Sequence, residues 1–283
     1  MSFKKISAFP YSGGKYYLLE DIYKYFTKSK CKKFVDVFGG SANVVLNVNT
    51  IWKVYNDLDG RLVNLFTLLR DDPDALARMF HYAVASRAMF DESCEPSPIP
   101  AQDAWRFLYH QNLNFGGKYI SQSFGYSNNP EKPAVPRNVA DIEKIIKVLH
   151  FHAKTWLIEH LDFSELIEKY DSKETFFYLD PPYWDFDFYA HNFRAKDFFR
   201  LKKSIDGIEG SYLMNINADK NVVMLFGEPQ DYKDYINTAS NVSALEGETR
   251  TNRREFFYTN VKNVLLNPPK SYGFDNFLTE EVS

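Results

Sequence analysis

Asp180-Pro181-Pro182-Tyr183 is the segment of this chain best equipped for chemistry. It follows Thr175–Leu179 (TFFYL), an apolar and aromatic run that predicts a buried strand. Such a strand delivers the Asp180 carboxylate to the carboxyl edge of a sheet, where open α/β proteins bind ligands. The two prolines stiffen the backbone and remove two amide donors, leaving carbonyl oxygens free to accept. A carboxylate beside the Pro181 carbonyl can hold both hydrogens of an amino group. The amino group of adenine is a poor nucleophile, because its lone pair is delocalised into the ring. Two acceptors would push that nitrogen toward a tetrahedral shape and aim its lone pair at an electrophilic methyl. The catalysis would be positioning plus electrostatic stabilisation, with no covalent step on the protein. Tyr183 offers a ring to stack on a flipped base. The plainer alternative is a strand-ending turn with a surface aromatic.

A second constellation lies near the start. Asp36-Val37-Phe38-Gly39-Gly40-Ser41-Ala42 follows an apolar run, and its glycines let the backbone approach a ligand closely. Asp57 stands 17 residues beyond Gly40, at the end of the next apolar run. That is near the ~20-residue interval at which an acid bonds ribose hydroxyls in dinucleotide folds. The pair points to a nucleoside-containing cofactor; the alternative is that Asp57 caps the following helix. Ser12-Gly13-Gly14-Lys15 resembles a phosphate loop at first sight. That loop needs a glycine where Phe9 stands and Ser or Thr where Tyr16 stands, so it is excluded.

The elements that must position these residues alternate. Leu18, Leu19, Ile22, Tyr25 and Phe26 share one face of a helix over 17–29. Strands are expected at 33–38 and 52–55, with helices at 42–50 and 62–69. Strand, glycine turn, helix, strand opens a doubly wound α/β sheet. The middle reads differently: a helical pattern over 74–92, three prolines within 93–100, a helix over 101–115, and a polar loop over 116–138. From 139 the alternation resumes, with strands at 155–160, 175–179 and 212–216 between helices at 141–150, 163–170 and 195–206. The tail reads as a polar loop over 238–253 and two short strands, 255–259 and 261–266. One α/β domain, residues 1–71 and 139–283, is thus expected to carry a mostly helical insert at 72–138.

Bulk composition narrows the function classes. The chain has 283 residues, 45% of them apolar, enough for a sizeable core. Its formal net charge of −3 does not advertise a polyanion partner. The distribution is more telling: residues 1–33 hold eight lysines against Glu20 and Asp21, whereas 70–104 hold seven acids against three arginines. An acidic back and a basic front would suit an enzyme that binds nucleic acid without clinging to it. A solvated lysine face explains 24–33 equally well. Nineteen tyrosines exceed what a core needs, because each buried phenol requires a partner. Cys31 and Cys94 stand in no metal-binding spacing and read as reduced thiols. No signal core or spanning apolar run is present, so a cytoplasmic protein is expected.

Tyr11-Ser-Gly-Gly-Lys15, Phe38-Gly-Gly-Ser41, Asn56-Asp57, Asp162-Phe163, Asp180-Pro-Pro-Tyr183 and Glu255-Phe-Phe-Tyr-Thr-Asn260 occur in that order. Together they resemble the Dam-type DNA adenine methyltransferases, over nearly the whole chain. The resemblance implies a Rossmann-like S-adenosylmethionine-dependent methyltransferase sheet with an inserted target-recognition domain. It implies that Tyr11 and Lys15 contact S-adenosylmethionine, Lys15 near its carboxylate. Phe38, Gly39, Gly40 and Ser41 would line the cofactor pocket, and Asp57 would hold the ribose. Asp162 and Phe163 would sit by the cofactor adenine, and Asp180 to Tyr183 would bind the target adenine. Ala42 departs from the pattern, standing where the family usually has a second glycine, and Tyr11 stands where Trp is common.

The segment from Trp105 to Lys118 resembles the start of the family's recognition region. Its Asn112, Asn114 and Lys118 are chemically able to read base edges or phosphates; ordinary polar loop residues are the alternative. Arg250, Arg253 and Arg254 suit a phosphate clamp, because a guanidinium grips phosphate in a fork; a solvated loop is the alternative. Asn263 to Lys270 (NVLLNPPK) mimics an amino-methylation tetrad but has Lys270 where the stacking aromatic belongs. The expected partner is double-stranded DNA, with no membrane, no metal, and a monomer or weak dimer. Two alternatives stay open: an RNA or free-nucleotide amino methyltransferase, and a silent DNA-binding protein on the same scaffold.

Overall fold

The computed structural model describes residues 5–11, 13–114, 123–126, 129–131, 139–184, 193–236, 252–262 and 264. Its strands are β1 (Lys33–Asp36), β2 (Trp52–Asn56), β3 (Leu157–Glu159), β4 (Thr175–Leu179), β5 (Ser211–Asn217), β6 (Asp231–Ile236) and β7 (Asn252–Thr259). They form a seven-stranded sheet in the order β3-β2-β1-β4-β5-β7-β6. The first five positions pair in parallel, and β7 runs antiparallel to both β5 and β6. This is the α/β class that the alternating pattern predicts.

The helices are α1 (Leu19–Ser29), α2 (Asn43–Asn47), α3 (Gly60–Asp71), α4 (Pro73–Phe80), α5 (Arg87–Ser93), α6 (Pro100–Leu113), α7 (Ala140–Ala153), α8 (Phe163–Tyr170), α9 (Ala195–Asp206) and α10 (Lys220–Phe226). Side chains alternate across a strand, so each central strand feeds two cores. Phe34, Phe176, Tyr178, Leu213 and Phe257 pack with α1 and α2 on one face. Val35, Phe177, Leu179, Met214 and Ile216 pack with α8, α9 and α10 on the other. Burial on both faces explains why β4 reads as an unbroken apolar run. Helices α3, α4, α6 and α7 share a further core with Tyr55 and Trp156.

Strand order reverses direction between β1 and β4, which lie side by side. Their carboxyl ends therefore diverge and leave a crevice, the position where open α/β sheets bind ligands. The turn after β1 is built for close approach. A Cβ on Gly39 would run into the Tyr55 ring and lie 3.0 Å from the Asn56 carbonyl. Gly40 (φ 48°) and Ala42 (φ 59°) are both left-handed. The Ala42 departure therefore falls on a residue whose backbone favours glycine, by about 1–2 kcal/mol. Its fully buried methyl offsets part of that, at about 0.8 kcal/mol. Ala42→Gly is accordingly expected to change stability by less than about 1 kcal/mol. Ala42→Val, β-branched and oversized in the same conformation, should cost at least about 2 kcal/mol. Thermal unfolding of the two variants checks both.

Two expectations need correction, and two elements were not foreseen. The helix over 74–92 is two helices, α4 and α5. The Tyr109 hydroxyl organises the break, accepting from Ser86 N at 3.0 Å and donating to Val84 O at 2.7 Å. The Ser86 side chain then caps α5. The partner of the strand at 255–259 is β6, and the described residues after Asn260 carry no strand. β6 is masked in the sequence by Asp231, Lys233 and Asp234. Inside the fold Tyr25 donates to Asp231 at 2.9 Å and Lys233 pairs with Asp21, both from α1, while Asp234 pairs with Arg254 of β7. Helix α10, capped by Asp219, was also unforeseen.

Candidate active site

A cleft of about 490 Å³ opens at the carboxyl ends of β1, β2 and β4. Sites for small ligands commonly span roughly 300–1,000 Å³. Tyr11, Lys15, Phe38, Gly39, Gly40, Ser41, Asp57, Asp162, Phe163, Asp180 and Pro182 all line it, from five separate stretches of chain. Pro181 and Tyr183 are not among its walls.

Asp180 leaves the end of β4 and is held from two sides. Lys15 Nζ lies 2.8 Å from Asp180 Oδ1, and Asn215 Nδ2 donates to the same oxygen at 3.2 Å. The Lys15 side chain is 2% exposed and that of Asp180 18%. Burial pushes the Asp180 carboxyl up to about 6; Lys15 and Asn215 pull it down, while the Glu255 charge adds to the rise. Lys15 Nζ also donates to Gly13 O at 3.1 Å, lies 4.0 Å from Glu255 and sits 4.8 Å from the centre of the Tyr183 ring. Tyr183 is nearly buried, with its hydroxyl donated to Glu255. One ring face meets the ammonium, so a stacked base would use the other.

The cofactor side of the cleft is cross-braced. Asp57 accepts from Gly40 N and from Asp59 N, both at 2.8 Å, tying the β1 turn to the β2 turn. The cap of α3 is Asp59, which accepts from Arg61 N at 2.9 Å. Asn56 braces three turns at once: Nδ2 donates to Val37 O (2.9 Å) and Leu161 O (3.1 Å), and Oδ1 accepts from Leu161 N (2.9 Å). Asp162 caps α8 through Ser164 N at 3.0 Å and pairs with Arg200 at 2.6 Å. Phe38, Phe163 and Phe193 form an aromatic wall with ring centres 5.5–5.9 Å apart. Arg200 lies 4.8 Å from the centre of the Phe163 ring. Deeper in, Asp36 Oδ1 and Asn43 Oδ1 are buried without a hydrogen-bond partner among the described residues, and both residues line the cleft. Burial, reinforced by the charges of Asp180 and Asp57, raises the Asp36 carboxyl well above its ordinary value.

Residues 11–226 match the D12 class N6 adenine-specific DNA methyltransferase family. That stretch is most of the chain. The protein belongs to this family. It is 26% identical over 187 residues to the modification methylase StsI of Streptococcus sanguinis, a match covering 61% of this chain and 28% of that one. It is 26% identical over 200 residues to the DNA adenine methylase of Salmonella typhi, covering 64% of this chain and 66% of the relative. The DNA adenine methylase of Haemophilus influenzae is 26% identical over 186 residues, covering 61% and 62%. The chain thus spans less than two thirds of the length of these relatives.

Within this family member, the expected nucleic-acid residues are placed unevenly. Asn112 is buried in α6, with Nδ2 donating to Leu108 O at 2.7 Å. Asn114 is buried too, and its Oδ1 accepts from Ser123 N at 3.1 Å. Both amides are therefore engaged in the fold's own bonds. Arg254 pairs with Asp234 at 3.0 Å across the β6–β7 hairpin and lies 4.7 Å from the centre of the Tyr232 ring. Arg253 is in β7, opposite Tyr235. Lys118 and Arg250 lie outside the described residues. No helix among the described residues is long and apolar enough to cross a membrane, and no group of three or more potential metal ligands occurs among them.

Several site residues were given no role from the sequence, although Asp36 and Glu255 lie inside motifs quoted above. Arg200 and Phe193 reach the cleft from α9 and its approach. Asp36 and Asn43 flank the glycine turn, and their polar atoms in an otherwise apolar context were the only hint. Glu255 and Asn215 lie in strands, where burial of a polar side chain is costly unless it is bonded.

Proposed function

We propose that this protein transfers a methyl group from S-adenosylmethionine to the exocyclic amino nitrogen of adenine in double-stranded DNA. The observation that carries this reading is the Asp180 carboxylate at the β1/β4 switch point, sharing one cleft with the Gly39-Gly40 turn and Asp57.

The cleft's residues fit the cofactor. Asp36 Oδ1 and Asn43 Oδ1, buried at the cleft wall without a hydrogen-bond partner among the described residues, can both accept, which matches the ammonium end of an amino acid. The left-handed Gly40 brings backbone close to a ligand, and Asp57 is the acceptor for ribose hydroxyls. Phe38, Phe163 and Phe193 offer flat apolar surface to a purine. When bound, S-adenosylmethionine supplies an electrophilic methyl on a positively charged sulfur.

The chain's own residues do the rest. Asp180 accepts one amino hydrogen of the flipped adenine and the Pro181 carbonyl the other. The rigid Pro181-Pro182 backbone fixes the two acceptors relative to each other. The carboxylate is also placed to take the proton that the methylated nitrogen sheds. Tyr183 packs against the base. Residues 72–138 are the target-recognition insert in this reading, with 1–71 and 139–283 as the catalytic part. Arg250, Arg253 and Arg254 are assigned to the phosphates. The reading takes the protein as a monomer or weak dimer.

The test is incorporation of labelled methyl from S-adenosylmethionine into unmethylated genomic DNA, total RNA, or no nucleic acid. Label in DNA adenine, lost in Asp180→Ala, is the expected result. Label in RNA alone would overturn the substrate, and no label with any substrate would overturn the activity.

Asp57→Ala is expected to weaken S-adenosylmethionine binding by about tenfold or more, losing a charge-assisted bond and the brace on Gly40. DNA affinity should change by less than about twofold, the spread of an uninvolved charge at this distance. Titration calorimetry with each ligand separates the two; unchanged cofactor affinity would refute the ribose role.

A further inference from the structure

Behind Asp180 lies a buried polar network that the sequence motifs include only in part, since Asn215, Tyr178, Tyr17 and Tyr235 belong to none of them. Asn215 is fully buried in the middle of β5, flanked by β4 and β7. An amide there is costly unless every group is bonded. Its Nδ2 donates to Asp180 Oδ1 (3.2 Å) and to Glu255 Oε2 (3.3 Å), and its Oδ1 accepts the Tyr178 hydroxyl. An ionised carboxylate can only accept, so two carboxylates on one side force the amide nitrogen toward them. Tyr178 then fastens the opposite side of the amide. Glu255 is in turn fixed by the Tyr17 hydroxyl at 3.0 Å, by Tyr235 at 3.4 Å and by Tyr183. Burial first, then the Glu255 charge, pushes the Tyr17 and Tyr183 phenols well above their ordinary values, so both remain donors.

The consequence concerns which oxygen does the work. Lys15, from the segment before α1, and Asn215, from β5, approach Asp180 from different parts of the fold, yet both meet it at Oδ1. Two donors on one oxygen fix the plane of the carboxylate and direct its other edge away from the sheet. We propose that Asn215 is a positioning residue, held by Tyr178 and Glu255, that turns the Asp180 carboxylate so that Oδ2 is the oxygen presented to the substrate amine. The inference rests on the reading of Asp180 as the amine acceptor.

The test pairs Asn215→Leu, similar in size but without a donor, with Tyr178→Phe, which removes only the hydroxyl that fastens the amide. In Asn215→Leu, kcat is expected to fall on the order of 10- to 100-fold, the usual effect of misaligning a reacting group. KM for DNA and for S-adenosylmethionine should stay within about threefold, because neither ligand touches Asn215. Tyr178→Phe should lower kcat by about fivefold, as befits one neutral hydrogen bond. It also serves if Asn215→Leu does not fold.

The second readout is the titration of Asp180, followed by carboxyl-carbon NMR. The charged and titratable groups facing it are Lys15, Glu255, Asp36, Tyr178 and Tyr183. All stay in place in Asn215→Leu, so loss of one donor should move the titration to higher pH. A folded Asn215→Leu protein with unchanged kcat and an unmoved Asp180 signal would overturn the inference. Absence of methyl transfer by the wild-type protein would overturn the proposed function instead, and the NMR titration would still decide the contact.

Discussion

Asp180→Ala is expected to lower methyl transfer by on the order of 10³-fold or more, while S-adenosylmethionine affinity changes by less than about tenfold. The asymmetry follows from geometry. Asp180 sits at the edge of the cleft nearest Lys15 and Pro182, whereas the nucleoside-facing residues Asp57, Phe38 and Phe163 belong to other turns. Single-turnover methylation and equilibrium cofactor binding separate the two quantities. The same carboxyl sets a pH dependence whose sign is fixed. Burial raises it to about 6, so it accepts an amine hydrogen only above that pH. Wild-type kcat/KM should therefore fall as pH drops through about 6, where an ordinary aspartate would hold activity to about 4. Stability runs the other way. The folded protein binds this proton more tightly than the unfolded chain, so the group's contribution is fully present below about pH 4 and is lost as pH rises through 6. Ionised Asp180 is thus held at a cost to the fold, as expected of a group kept for chemistry. An activity profile flat from pH 5 to 7 would contradict the acceptor role.

Much of this site was legible because its parts lie where strands end. Thr175–Leu179 is an uninterrupted apolar strand, and its end fixes the position of Asp180 without further information. The Gly39-Gly40 turn and Asp57 are readable for the same reason, since a doubly wound sheet sends its first, second and fourth strands to one edge. What the chain order cannot show is lateral pairing. Asn215 and Glu255 meet Asp180 only because β5 lies between β4 and β7, and that neighbourhood is a property of the sheet. Each looks like an ordinary polar residue in a strand until its partners are known. The insert hides its surroundings in the same way. Asn112 and Asn114 fall near the end of the helix expected over 101–115, and α6 is part of the helical core and draws both amides inside. The charged β6 escaped detection because Asp231 is answered by Tyr25 and Lys233 by Asp21, both from a helix some 200 residues earlier, and Asp234 by Arg254 of β7.

Lys15→Met should have the second largest effect, and it separates two roles for this lysine. Its ammonium is buried against Asp180 at 2.8 Å and within 4.0 Å of Glu255. Removing it leaves two carboxylates near each other without their cation. Breaking a buried pair on one side costs about 3–5 kcal/mol, moderated here because Asp180 can take up a proton. Lys15 is the strongest influence holding the Asp180 carboxyl down against burial, so its loss raises that carboxyl further above 6. The acid limb of kcat/KM should accordingly move toward and past neutrality. The variant would be nearly inactive at pH 7 and recover part of its activity as pH rises, as Asp180 regains its charge. A lysine that served only the carboxylate end of the cofactor would behave differently. Its loss would raise the KM for S-adenosylmethionine at every pH and leave the acid limb where it is. Because Lys15 reaches Asp180, Glu255, Gly13 O and the Tyr183 ring at once, the electrostatic outcome is the one this geometry requires.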